Sequence, residues 1–163
     1  MTTPTYTVPH RREREGRTDY EQRLRLLKSR KKRFIIRLTN QQIIIQVASY
    51  EAEGDHIHMT IDGNDLEKHG WDHSKNNLPG AYLTGAIAAQ HCDEHSIEQG
   101  ILDVGLQSPE EGGRLYAALK GLTDNGVDIP AGDVYPPEER IHGEHINETV
   151  TEDFTELHEE ITA

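Results

Sequence analysis

Three short runs between Arg33 and Asp62 constrain the fold more than any other part of the chain. In Arg33 to Leu38, residues Phe34, Ile36 and Leu38 share one face, and Arg33, Ile35 and Arg37 share the other, because successive strand side chains point to opposite sides. Thr39-Asn40-Gln41 reads as a turn. Gln42 to Tyr50 is a second strand, rich in Ile43, Ile44, Ile45 and Val47. A second turn, Glu51 to Asp55 with Gly54, leads into His56 to Asp62, where Ile57, Met59 and Ile61 alternate inward against His56, His58, Thr60 and Asp62. Consecutive strands joined by short turns predict an antiparallel meander.

Helical patterns flank the meander. Thr18-Asp19-Tyr20-Glu21 matches a capping box, with Thr18 as the cap. The helix it opens runs to about Ser29, with Tyr20, Leu24 and Leu27 as an apolar stripe and Arg25 and Lys28 on another face. Asp62 to Asn77 reads as a polar connection holding Trp71. Pro79 suits a first helical turn, and Gly80 to His95 is an Ala-rich helix. A strand is predicted over Ile101 to Leu106, then a capping box at Ser108-Pro109-Glu110-Glu111. The helix after it carries Leu115, Ala118, Leu119 and Leu122 and closes at Asn125-Gly126. Val127 to Pro130 is predicted as a short last strand. Strand–helix–strand units favour right-handed parallel crossovers, so the whole predicts an α/β fold: a mixed sheet with helices packed on it.

The ends differ in composition. Residues 1–10, with Pro4 and Pro9, are expected to be extended, and residues 1–17 form a basic arm ahead of a domain over 18–132. Residues 133–163 hold 10 Asp and Glu against Arg140 alone, an acidic tail. It is either disordered or ends in an amphipathic helix capped by Thr149 and Glu152, with Phe154, Leu157 and Ile161 on one face.

Charge narrows the function. Residues 11–37 contain 12 of the 17 Lys and Arg residues, in a chain of net charge −12. A concentrated basic run points to a polyanion, because Lys and Arg gain by displacing condensed counterions from phosphates; the plain alternative is a solvated charged terminus. The acid elsewhere suits a cytoplasm of high salt, where screening lengths fall to ~3 Å at 1 M and long-range repulsion from phosphate nearly vanishes. No run nears the ~20 apolar residues of a membrane span, and the N-terminus lacks the apolar core of a signal peptide, so a soluble intracellular protein is expected. The single Cys92 excludes an internal disulfide and a four-cysteine zinc site.

Five segments in order, TDYEQRLRLLKS (18–29), RFIIRLTN (33–40), NNLPGAYLTGAIAA (76–89), ILDVGLQSP (101–109) and GVDIP (126–130), resemble the archaeal type of the large-subunit ribosomal protein family numbered eighteen in the universal naming. The eukaryotic relatives are called ribosomal protein five. The resemblance covers about residues 6–145. It implies a ribonuclease-H-like mixed sheet with flanking helices, a place in the large subunit of the cytoplasmic ribosome, and binding to 5S ribosomal RNA. It also implies contact with large-subunit ribosomal RNA and neighbouring ribosomal proteins in the central protuberance. Carried onto this chain, the RNA contacts are Arg11, Arg12, Arg14 and Arg17 in the arm, Arg23, Arg25 and Lys28 on the helix, and Arg30, Lys31, Lys32 and Arg33 in the basic turn. Arg37 and Asn40, on the first hairpin, are implied as further, lesser RNA contacts. The acidity and the short tail resemble halophilic members.

A ribonuclease-H-like fold also raises a metal-dependent nuclease. Such an enzyme needs carboxylates converging on metal ions, yet the first strand offers Arg37, and Asp103 reads as structural. His91, Cys92 and His95 share one helix but lack a fourth ligand; His56/His58 and His142/His145 are similarly incomplete. The expectation is a non-enzymatic RNA-binding protein without metal or cofactor. A third reading is an acidic adaptor whose tail captures a protein partner.

Overall fold

The computed structural model describes residues 7–162. Thr7 to His10 lie in no helix or strand; the expectation for Pro4 falls outside the described residues. A four-residue helix α1 (Arg11–Arg14) and a two-turn helix α2 (Tyr20–Leu27) precede strands β1 (Arg33–Leu38), β2 (Ile43–Ser49) and β3 (His56–Asp62). Then follow α3 (Gly63–Lys68), α4 (Leu78–Glu94), β4 (Ile101–Asp103), α5 (Arg114–Asp124), α6 (Glu138–Ile141) and α7 (Glu148–Thr162). The sheet order is β3-β2-β1-β4. β1 and β3 pair with β2 antiparallel, and β4 joins β1 in parallel. The chain is thus an α/β protein with a mixed, open sheet.

The alternation in β1 divides two environments. Phe34 and Ile36, opposite Val47 and Ile45 of β2, bury their side chains in the main core. Arg33 and Ile35 face the other side and are also buried. The core helix is α4, buried along nearly its whole circumference from Leu78 to Ala89, as expected of a helix apolar on all sides. Asn77 caps it, its Oδ1 accepting from the Gly80 amide at 2.8 Å, with Pro79 in the first turn. α4 and α5 touch backbone to backbone: a Cβ on Gly85 would meet the Ala118 carbonyl at 2.1 Å, and one on Gly121 would meet the Tyr82 carbonyl at 2.1 Å.

Several local expectations are corrected. The cap of α2 is Asp19, not Thr18; its Oδ1 accepts from the amides of Glu21 and Gln22 at 2.9 and 3.0 Å. No residue of α2 is fully buried, and Leu24 of the expected stripe is exposed. Ile57 is exposed as well, because the β2–β3 register shifts between Val47 and Ala48. The polar connection contains α3, closed by reciprocal bonds between Asp62 and Asp65. β4 ends at Asp103, whose Oδ1 accepts from the amide of Gly105, a residue at φ +59°. Beyond that point Gln107 takes the place of a strand, accepting from Leu38 N–H and donating to the Ile36 carbonyl, both at 2.9 Å. The Ser108–Glu111 box does not start a helix: Gly112 turns at φ +68°, and Gly113 is the cap of α5. The predicted last strand reduces to one bridge, Gln99 to Asp128.

Residues beyond 133 pack on the domain. Asn147, not Thr149, caps α7, accepting from Val150 N–H at 2.8 Å. Val150, Phe154, Leu157 and Ile161 are buried in the same core cluster as α4. Phe154 lies between Tyr82, His142 and His158, stacked on His158 with ring centres 5.8 Å apart. Tyr82 Oη donates to Asp124 at 3.1 Å, and His73 meets Asp153 at 2.6 Å. Burial pushes the Tyr82 phenol up, and Asp124 adds to the effect.

Candidate nucleic-acid interface

The arginine-bearing face of β1 is organised by carboxylates that composition alone left scattered. Asp55, at the end of the β2–β3 turn, accepts two bonds from Arg23 of α2, at 2.8 and 2.9 Å. The same carboxylate accepts from Arg33 Nη2 at 2.5 Å, and Arg33 Nη1 donates to Asp103 at 2.8 Å. Four charged side chains from α2, β1, the turn and β4 therefore form one cluster. The Arg23 hydrogen bonds, opposed by burial and helped by Arg33, hold the Asp55 carboxyl below its usual range. With so few buried apolar groups on α2, this cluster is what ties the helix to the sheet.

The cluster changes the roles of two expected contacts. The Arg33 side chain is 3% exposed and its two terminal nitrogens serve two carboxylates. It is part of the interior and cannot reach a phosphate. Its Nε has no hydrogen-bond partner, a desolvation cost that fits a residue serving geometry. Arg23 is mostly covered and likewise directed at Asp55, so it positions α2 and leaves the anion to its neighbours.

The remaining basic residues fall into groups. Arg12, Arg17 and Arg37 ring a cleft of about 200 Å³ between the α1–α2 segment and β1. Arg12 Nε donates to Thr18 Oγ1 at 3.0 Å, and Arg17 lies 3.5 Å from Glu15. Arg30, Lys31 and Lys32 form one wall of an open groove whose other wall is Ser96 to Gln99. Arg30 sits at φ +57°, in a tight turn where the Ser29 hydroxyl accepts from Lys31 N–H. A left-handed non-glycine residue is uncommon, and here it turns the chain between α2 and β1, with Arg30 and Lys31 exposed and Lys32 half-buried. Arg11, Arg14, Arg25 and Lys28 are exposed on α1 and α2; Arg25 pairs with Glu21 one turn earlier. Asn40 is not brought into this group. It lies at the opposite end of β1 from the basic turn, a span of about 20 Å for six residues. Its carbonyl accepts from Asn76 Nδ2 at 2.9 Å, and Asn76 in turn binds Arg114.

Among the described residues, His91 and Cys92 have other partners. Cys92 is buried against Met59, with sulfurs 3.7 Å apart, and burial raises its thiol to about 12. His91 bonds to Glu94 on its own helix instead. Asp55, the residue sequence reasoning missed, carries no motif; only its position after a glycine turn, next to an arginine-rich strand, hinted at a partner.

An α/β domain with 12 of its 17 Lys and Arg residues within residues 11–37, on a chain of net charge −12, has the charge segregation that suits a polyanion partner. Comparison with known proteins sharpens the class. Residues 4–97 match the family model described as "Ribosomal large subunit proteins 60S L5, and 50S L18". The chain is 48% identical over 142 residues to large ribosomal subunit protein uL18 of Korarchaeum cryptofilum, covering 86% of this chain and 73% of that one. It is 45% identical over 148 residues to the uL18 of Methanothrix thermoacetophila, covering 90% and 88%. The uL18 of Thermoplasma volcanium is 46% identical over 136 residues, 83% of this chain and 85% of that one. The chain belongs to this family of large-subunit ribosomal proteins.

Proposed function

We propose that this protein is a non-enzymatic constituent of the large ribosomal subunit that binds 5S ribosomal RNA and helps attach it to the large-subunit RNA in the central protuberance of the cytoplasmic ribosome. The sheet, with its antiparallel β1–β3 meander and β4 added in parallel beside β1, supports a ribonuclease-H-like frame. The observation that carries the RNA reading is the segregation of charge: Arg12, Arg17 and Arg37 line a cleft between α1–α2 and β1, and Arg30, Lys31 and Lys32 line a groove just ahead of β1, the basic side of a chain otherwise rich in acid. RNA approaches that side, and neighbouring ribosomal proteins meet the acidic remainder. A metal-dependent nuclease finds no support at the sheet, because Asp55 and Asp103, the carboxylates on Arg33 of β1, are held by guanidiniums.

A titration of 5S RNA at varied KCl tests this. With about six phosphates neutralised, the affinity falls with a log–log slope of about −4 to −5. Absence of binding by the folded chain at every salt concentration, or binding unchanged after removal of residues 1–32, contradicts it.

A further inference from the structure

The cleft between α1–α2 and β1 is more than a passive part of the basic face, and its composition is specific. Five arginines line it against three aspartates. Those aspartates are already occupied: Asp55 and Asp103 bind Arg23 and Arg33, and Asp19 accepts the first amides of α2. Arg12 and Arg37 are therefore surplus cations at the rim, and Arg17 beside them pairs only with the exposed Glu15. Arg37 is exposed and pairs with no carboxylate among the described residues. The floor is apolar: Ile35 is buried, Leu26 half-buried, and Leu106 is 54% exposed at the edge. An exposed leucine beside these rim guanidiniums is poorly explained by either solubility or core packing.

Size decides what fits. At about 200 Å³ the cleft is smaller than the ~300–1,000 Å³ pockets that take drug-sized ligands, and a duplex cannot enter it. One planar base with its phosphate matches both the volume and the chemistry. Guanidiniums grip phosphate through paired N–H donors and stack on planar groups, while leucine and isoleucine side chains cover a base face. RNA offers such a group where a loop or bulge leaves a nucleotide unstacked.

Resting on the RNA-binding reading above, we propose that this cleft receives one unstacked nucleotide of the bound RNA. Its phosphate lies against Arg12, Arg17 and Arg37, and its base on Ile35, Leu26 and Leu106. The Asp55 cluster keeps the cleft open by fixing α2 at a set height over β1. The RNA element that enters it is a loop or a bulge, in contrast to the backbone contacts expected at Arg30 to Lys32.

Photocrosslinking of the full chain tests this, using 5S RNA carrying 4-thiouridine for uridine and, in a second preparation, 6-thioguanosine for guanosine. Cross-linked peptides containing Leu26, Ile35 or Leu106 are expected. In parallel, Leu106→Ala, at an exposed position that folding does not need, lowers affinity about fivefold without changing the salt slope, since no phosphate contact is lost. Arg37→Gln lowers the slope by about one. Tight binding with cross-links confined to residues 28–32, and an unaffected Leu106→Ala variant, overturns the nucleotide site while leaving the RNA reading intact. Absence of 5S binding by the wild-type chain overturns both.

Discussion

Asp55 joins three parts of the chain through one carboxylate, so its substitution separates positioning from simple electrostatics. Asp55→Asn removes a negative charge from a protein of net charge −12, a change that by itself strengthens binding to a polyanion. The reverse is expected. Arg23 and Arg33 lose their shared acceptor, stability falls by about 2–3 kcal/mol, and RNA binding weakens because α2 is no longer held. Denaturant unfolding with a binding titration measures both; tighter RNA binding by Asp55→Asn would contradict the positioning role. The pH dependence has a definite sign. The Asp55 carboxyl is depressed in the folded protein, first by the Arg23 hydrogen bonds. Its contribution is therefore fully present above the ordinary carboxylate range and is lost as pH falls from about 4 downward. Arg33 and Arg37 make a second contrast on one strand and one face. Arg33→Gln unbalances two mostly buried carboxylates and costs about 3–5 kcal/mol; Arg37→Gln is near neutral for stability and acts on RNA affinity alone. The alternation in the sequence placed both on the same side. It gave no sign that one was buried, because the covering helix and the two partner acids lie 10 to 70 residues away.

At the scale of elements, α7 shows how an acidic segment is held. Its outer side carries most of its acid, while Val150, Phe154, Leu157 and Ile161 fill the groove beside α4. Phe154→Ala is expected to cost about 3 kcal/mol and to raise amide exchange across residues 148–162. His158 adds a pH term. Burial and the nearby His142 lower its basicity, against opposing contributions from Asp124 and Glu159, while Tyr82 and Phe154 also pack on it. A depressed histidine leaves the docked state at full strength above its ordinary value of about 6.5 and weakens it as pH falls below that. The protection of α7 against hydrogen exchange, relative to intrinsic amide rates, should therefore fall between about pH 6.5 and 5, and His158→Gln should flatten that fall. The meander, α4 and α5 were legible because strand alternation, Pro79 and the Leu115–Leu122 spacing are local signals. α3 was not, since its box uses Asp65 where a longer acid is the usual sign. The end of β4 was not, because a side-chain amide, Gln107, satisfies the groups a longer strand would have paired. The docking of residues beyond 133 depends on the groove beside α4, which no pattern within the segment describes.

For the whole molecule, charge segregation sets both stability and direction of approach. The acidic surface repels itself, and that repulsion is screened over ~10 Å at 0.1 M salt but over only ~3 Å at 1 M. We propose a high-salt cytoplasm as its setting, in which case the thermal midpoint rises by several degrees from 0.1 to 2 M KCl; an unchanged or falling midpoint argues against it. In the complex proposed above, RNA reaches the protein over α1, α2 and the basic turn, and not over the acidic outer side of α7. Hydrogen–deuterium exchange of the full chain with and without 5S RNA tests that orientation most directly. RNA-dependent protection is expected over residues 11–37 and none over 148–162. Protection concentrated on α7, with residues 11–37 unchanged, would contradict it.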